Sequence, residues 1–100
     1  MGYKFARKDA NHDQIVAAFR SLGFAVQETH MHRGLGFDCI ASKGKNILFV
    51  EIKDGSKPPS ARQLEPSERN AQASYPNHWR EICSVDEVIK ISQWLGITSN

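Results

Sequence analysis

The sequence predicts a small α/β domain with the element order α-β-β-β-α-β-α, and three observations carry that reading. Residues 37–53, FDCIASKGKNILFVEIK, hold two apolar runs on either side of the turn-forming stretch Lys43-Gly44-Lys45-Asn46, the pattern of a β-hairpin. Ile15, Phe19 and Leu22 recur at helical spacing, with Val16 and Ala18 beside them and Gly23 where a C-terminal cap belongs. Ser84 followed by Glu87 has capping-box spacing and opens an amphipathic segment whose Val85, Val88, Ile89 and Leu95 are expected to face the core until Gly96 ends it.

Taken in order, residues 1–10 are polar and aperiodic, carry Lys4, Arg7 and Lys8, and read as an extended basic arm. The first helix spans about residues 11–22, with Asn11 and Gln14 at capping-box spacing. Residues 24–27 alternate apolar and polar, as an edge-type strand does. Residues 28–36 form a loop containing His30, His32, Arg33 and two glycines. The H-x-H pair suggests zinc only if further ligands stand nearby; none lies at recognisable spacing, which favours a solvated or phosphate-facing pair.

After the hairpin comes a loop with Lys57, Pro58-Pro59 and Arg62, stiffened by its prolines. Pro66 suits the first turn of a second helix, where Glu65, Ser67 and Glu68 complement its positive end, and Pro76 stops it near Ser74 or Tyr75. This helix is expected to pack on the hairpin, with Arg69 and Gln72 as candidates to line a cleft. A turn and a short strand, about residues 80–83, lead to the last helix; Trp79 reads as structural and residues 97–100 as a tail. Residues 11–96 therefore make a single domain.

Composition narrows the classes. With 100 residues and 40% hydrophobic content, the chain is large enough for one core and too small for two. A net charge of +2 permits nucleic-acid binding without requiring it, so the distribution of charge must decide. Cys39 and Cys83 show no metal or redox spacing and are too few for a disulfide framework, which points to reduced thiols, Cys39 as core packing, and a cytoplasmic setting. No signal-type apolar segment or membrane-length run is present in the sequence, so no membrane partner is expected.

The hairpin register carries the chemistry. With the turn on Gly44-Lys45, Ser42 faces Ile47, Ile40 faces Phe49 and Asp38 faces Glu51, and alternation puts Asp38, Glu51 and Lys53 on one face. Carboxylates opposed across a strand pair, roughly 4.5–5.5 Å apart, repel each other and require a cation. A hard divalent ion such as Mg²⁺ or Mn²⁺ supplies one, and Lys53 stands where it can hold a water or a phosphoryl oxygen. A surface ribbon with a solvated Asp38 and a Glu51/Lys53 pair is the plainer alternative.

Asp38 followed by Glu51-Ile52-Lys53 at the end of an apolar strand resembles the bipartite motif of the PD-(D/E)XK nuclease superfamily. The segment Asp54-Gly55-Ser56-Lys57-Pro58-Pro59-Ser60-Ala61-Arg62-Gln63-Leu64 is similar to small phage and prophage nucleases of that superfamily, close to the virus-type replication-repair nucleases. Phe37 stands where the superfamily usually has a proline. The resemblance, from about Arg7 to Leu95, implies a restriction-endonuclease-like αβββαβ core with a mixed sheet flanked by helices, plus a C-terminal helix.

By that resemblance Asp38, Glu51 and the Ile52 carbonyl would bind Mg²⁺ or Mn²⁺, Lys53 would assist the attacking water, and Gln14 would replace a helix-one glutamate at the active site. It also implies a DNA endonuclease like the Holliday-junction resolvases, acting as a homodimer in a host cell's cytoplasm. Arg33, Lys57 and Arg62 are the candidate DNA-binding cations, expected to form one basic rim, and Phe24, Leu35, Trp94 and Ile97 the candidate dimer contacts. A non-catalytic nucleic-acid-binding module, or a protein-interaction factor on the same fold, is the alternative.

Overall fold

The turn at the centre of the chain forms as its residues require. Lys43 pairs with Asn46, so Gly44 and Lys45 alone make the reversal. Gly44 sits at φ 60° and, among the described residues, no non-glycine residue has a positive φ, which fits a type II′ turn with glycine first. The structure, a computed structural model, describes residues 8–98, with side chains through Gly96. The arm residues Met1 to Arg7, the tail residues Ser99 and Asn100, and the Ile97 side chain lie outside that range.

The elements are α1 (His12–Ser21), β1 (Ala25–Glu28), β2 (Cys39–Lys43), β3 (Asn46–Ile52), α2 (Pro66–Ser74), β4 (Trp79–Ile82) and α3 (Val85–Thr98), with a 3₁₀ turn at Pro59–Ala61. The expected order therefore stands, in a four-stranded mixed sheet of order β1-β2-β3-β4. β1, β2 and β3 run antiparallel, and β4 joins β3 in parallel after the α2 crossover. Ser42 pairs with Ile47 and Ile40 with Phe49, as the turn dictates.

The faces of β3 divide the molecule. Leu48, Val50 and Ile52 point into the main core with Cys39 and Ala41 of β2, Ile15, Val16 and Phe19 of α1, and Val88 and Leu95 of α3. Each such fully buried apolar side chain contributes roughly 1.5–3 kcal/mol. Phe49 and Glu51 point to the other side, where the Phe49 ring stacks on Phe37 at 4.8 Å and meets Tyr75, after α2, edge-on at 4.9 Å. Gly36 packs directly against α2: its φ is +85°, and a Cβ there would collide with the Ser67 carbonyl and lie 2.7 Å from the Ala71 Cβ. This glycine therefore lets the loop before β2 pack closely on α2.

Several local expectations change. Phe24 is 4% exposed and belongs to the core, not to an interface. Val85 and Ile89 are exposed on α3, and the helix continues past Gly96 to Thr98. Asn11 makes no side-chain cap; its Nδ2 instead donates to the carbonyls of Lys53 (3.1 Å) and Cys83 (2.8 Å), clipping the start of α1 to the ends of β3 and β4. Trp79 is buried, with Nε1 donating to the Gly36 carbonyl at 2.9 Å. Cys39 is fully buried and its thiol is pushed up to about 12 by desolvation, so it is inert packing. Among the described residues no helix is long and apolar enough to cross a membrane.

Candidate metal and active site

Asp38 enters the site from the backbone outward. Its N–H donates to the Val50 carbonyl (2.7 Å), its carbonyl accepts from Thr29 N–H (2.8 Å), and its Oδ2 accepts from Ile52 N–H at 2.8 Å. The Asp38 carboxyl is thus fixed across the end of β3, in hydrogen-bond contact with the Glu51 side chain. Glu51 is 5% exposed, and Lys53 follows on the same face with Nζ 3.6 Å from Glu51 Oε2.

α2 supplies a third acid. Glu65 caps the helix and Glu68 answers it in a capping box, its Oε1 accepting from Glu65 N–H at 2.9 Å. The same oxygen accepts from Lys53 Nζ at 2.8 Å, and Glu68 also hydrogen-bonds Glu51. Glu51 and Glu68 therefore flank one ammonium, with Asp38 on the other side of Glu51. The excess of acid shows in the protonation of Asp38 and Glu51. Burial first, then the charges of Asp38 and Glu68, push Glu51 up to about 10 against a smaller opposing pull from Lys53. Burial also raises Asp38, although the Ile52 N–H favours its charged form. Desolvation alone would lower Lys53, but the Glu68 hydrogen bond and the Glu51 charge outweigh it and leave Lys53 raised and cationic.

A buried carboxyl pair that keeps a proton despite one neighbouring lysine is a donor set on which a hard divalent ion can take that proton's place. Mg²⁺ or Mn²⁺ fits these oxygens, with Lys53 poised beside them. The Ile52 side chain belongs to the core and its N–H is committed to Asp38, so only its carbonyl can join such a site. The groups open on a cleft of about 560 Å³, with Asp38, Glu51 and Lys53 on one side and Glu65, Ser67 and Glu68 on the other. Asp9, His30, His32 and Arg33 complete its rim.

The remaining candidates divide. Gln14 is exposed on α1 and lies outside the cleft, because the face of α1 turned inward carries His12, Ile15, Val16 and Phe19. The acid from this end of the chain that reaches the cleft is Asp9. Arg33 lines the cleft, whereas Lys57 and Arg62 do not. Arg62 folds back instead, with Nε donating to the Lys57 carbonyl (2.8 Å) and a guanidinium nitrogen 3.6 Å from Cys83 Sγ. Arg69 and Gln72 are exposed, outside the cleft they were expected to line. The histidine pair splits too: His32 is exposed at the rim, while His30 turns to His12 and Glu28.

Glu65, Ser67 and Glu68 line the cleft, whereas the sequence offers them only as complements to the positive end of α2. The Glu65/Glu68 spacing was their one signal, since a capping acid at a helix start also stands at the mouth of whatever the helix faces. Compared with known proteins, the chain matches no family model, no curated protein and no solved structure.

Proposed function

We propose that this chain is a metal-dependent DNA endonuclease of the PD-(D/E)XK type on a restriction-endonuclease-like core, hydrolysing phosphodiester bonds in branched DNA such as four-way junctions. The reading rests on one observation above the others: Asp38 and Glu51 touch in a cleft whose third member is Lys53, with more buried acid than the lysine can neutralise. The α-β-β-β-α-β-α order with its mixed sheet agrees with the expected core. Asp38 and Glu51 would hold the ion, joined by the Ile52 carbonyl. Mg²⁺ or Mn²⁺ bound there supplies Lewis-acid stabilisation of the charge that develops on the phosphoryl oxygens.

Lys53 would leave Glu68 for the incoming phosphate and orient the attacking water; by the resemblance to the superfamily the P–O3′ bond would break in line with that water, the 3′ oxygen leaving as a hydroxyl and the product keeping a 5′-phosphate. Arg33 at the rim would hold a neighbouring phosphate. Two copies are proposed to act together because so small a domain has little surface for a duplex or junction; the exposed Leu35 and Trp94 are the candidate contacts. The test is incubation with labelled four-way junction, flap and linear duplex, with Mg²⁺ or Mn²⁺ and with chelator. Metal-dependent cutting of the junction is the expected result. Binding of DNA with no cutting under either metal would favour the non-catalytic module and sink the enzyme.

A further inference from the structure

We propose that His12, Glu28 and His30 form a second cation site, of the zinc class, separate from the Asp38 and Glu51 pair. The three residues come from the start of α1, the end of β1 and the following loop, so no short spacing announces them. Their ligand atoms all lie within 4.8 Å of one another. His12 Nε2 is 2.9 Å from Glu28 Oε1, and His30 Nδ1 is 3.8 Å from the same oxygen. Around a tetrahedral zinc with bonds of ~2.0–2.1 Å, neighbouring donors stand ~3.3–3.4 Å apart. The two edges to Glu28 Oε1, 2.9 and 3.8 Å, bracket that separation, and the widest spacing in the triad, up to 4.8 Å, has to close by roughly 1.4 Å through side-chain rotation to complete the arrangement.

The imidazoles pack edge to face with centroids 4.8 Å apart. A second observation bears on the same space: His30 Nδ1 is a buried atom with no hydrogen-bond partner. A tether between His12 and Glu28 explains the 2.9 Å contact but leaves that nitrogen without a role; a bound ion employs all three groups. Two imidazole nitrogens and one carboxylate oxygen favour Zn²⁺ or Co²⁺ over Mg²⁺, which prefers oxygen donors and retains its waters.

The two glutamates stand on opposite sides of the sheet, although His30 also lines the rim of the carboxylate cleft. Glu28 pairs with Cys39 and therefore points to the α1 side of the sheet, whereas Glu51 points to the α2 side. His12 is 1% exposed but the Glu28 side chain is 33% exposed, which leaves a solvent approach for a fourth, water ligand. The ion would fasten the loop of residues 29–36, which carries Arg33 to the rim of the cleft, onto α1.

The experiment is titration of the full, chelator-stripped chain with Zn²⁺ by calorimetry and with Co²⁺ by visible absorption, in excess Mg²⁺ so that the oxygen-donor site is filled. One equivalent of Zn²⁺ is expected, with intense four-coordinate Co²⁺ bands. His30→Ala and Glu28→Gln should each weaken binding by about a hundredfold while far-ultraviolet circular dichroism stays native, and Asp38→Asn and His32→Ala should leave it intact. Absence of Zn²⁺ binding, or binding lost in Asp38→Asn and kept in His30→Ala and Glu28→Gln, overturns the proposal.

Discussion

Glu51 and Glu28 are the same residue in the same sheet, and their surroundings drive them in opposite directions. Glu51 sits among carboxyls and holds its proton far above the usual range, because burial and the charges of Asp38 and Glu68 penalise ionisation. Glu28 accepts a hydrogen bond from His12 and is lowered in spite of partial desolvation. Both glutamates have a nitrogen neighbour, Lys53 Nζ at 3.6 Å and His12 Nε2 at 2.9 Å, but Glu51 also stands against two further carboxyls, Asp38 and Glu68. The difference teaches that burial alone assigns no role to an acid; the neighbours within a few ångströms decide whether its proton is held or released.

The comparison breaks most sharply in catalysis. Glu51→Gln or Asp38→Asn should reduce metal-dependent cleavage by roughly 10³-fold or more, since several kcal/mol of charge stabilisation is lost. DNA binding should survive. Glu28→Gln, which keeps an acceptor for His12, should cost only about 1 kcal/mol of stability in thermal melts and leave metal-dependent cutting in place. Equal losses of cleavage at the two positions would erase the distinction.

Lys53 sharpens it next. Lys53→Ala should slow turnover by roughly 10²–10³ with little change in metal affinity, and Lys53→Arg should restore it only in part because a planar fork cannot occupy the place of a compact ammonium. Single-turnover rates at saturating Mn²⁺ check this.

In the metal-free protein the two glutamates should pull stability in opposite directions with pH. Glu51 is raised, so its contribution is intact below about pH 4.5 and is lost as pH climbs toward about 10. Glu28 is lowered, so its contribution is present above the ordinary glutamate range and lost on acidification. Denaturant melts from pH 5 to pH 9 should therefore show a Glu51-dependent decline of up to ~1.4 kcal/mol per pH unit, absent in Glu51→Gln.

The smallest effect concerns the rim. Arg33→Ala should lower the log–log salt slope of junction binding by about one unit, whereas Arg62→Ala, whose guanidinium is engaged with Lys57 and Cys83, should change it little.

Much of this was legible before any coordinates. Gly44 and the flanking apolar runs set the hairpin register as far as Cys39 opposite Val50, and Asp38, just before that pair, reaches the end of β3 by accepting from the Ile52 N–H beside Glu51. Local pattern could not report what the crossover helix does: α2 delivers Glu68 onto Lys53 through a contact fifteen positions apart, and the capping box hid that second use. Helical period did hold the answer for α1. His12 shares a face with Ile15, Val16 and Phe19, and Gln14 does not, so the buried polar residue was displaced by two positions from the one the resemblance suggested. Arg62 looked like a free cation because its partners, a backbone carbonyl and a cysteine from β4's end, are invisible to composition.

The central claim is that Asp38 and Glu51 hold a divalent cation where they now hold a proton. Calorimetric titration with Mn²⁺ near pH 7.5, repeated in buffers of different ionisation enthalpy, counts the protons released on binding. The account predicts one Mn²⁺ bound to the cleft with close to one proton expelled, and neither in Glu51→Gln. Mn²⁺ binding without proton release, or unchanged binding in Glu51→Gln, would contradict it.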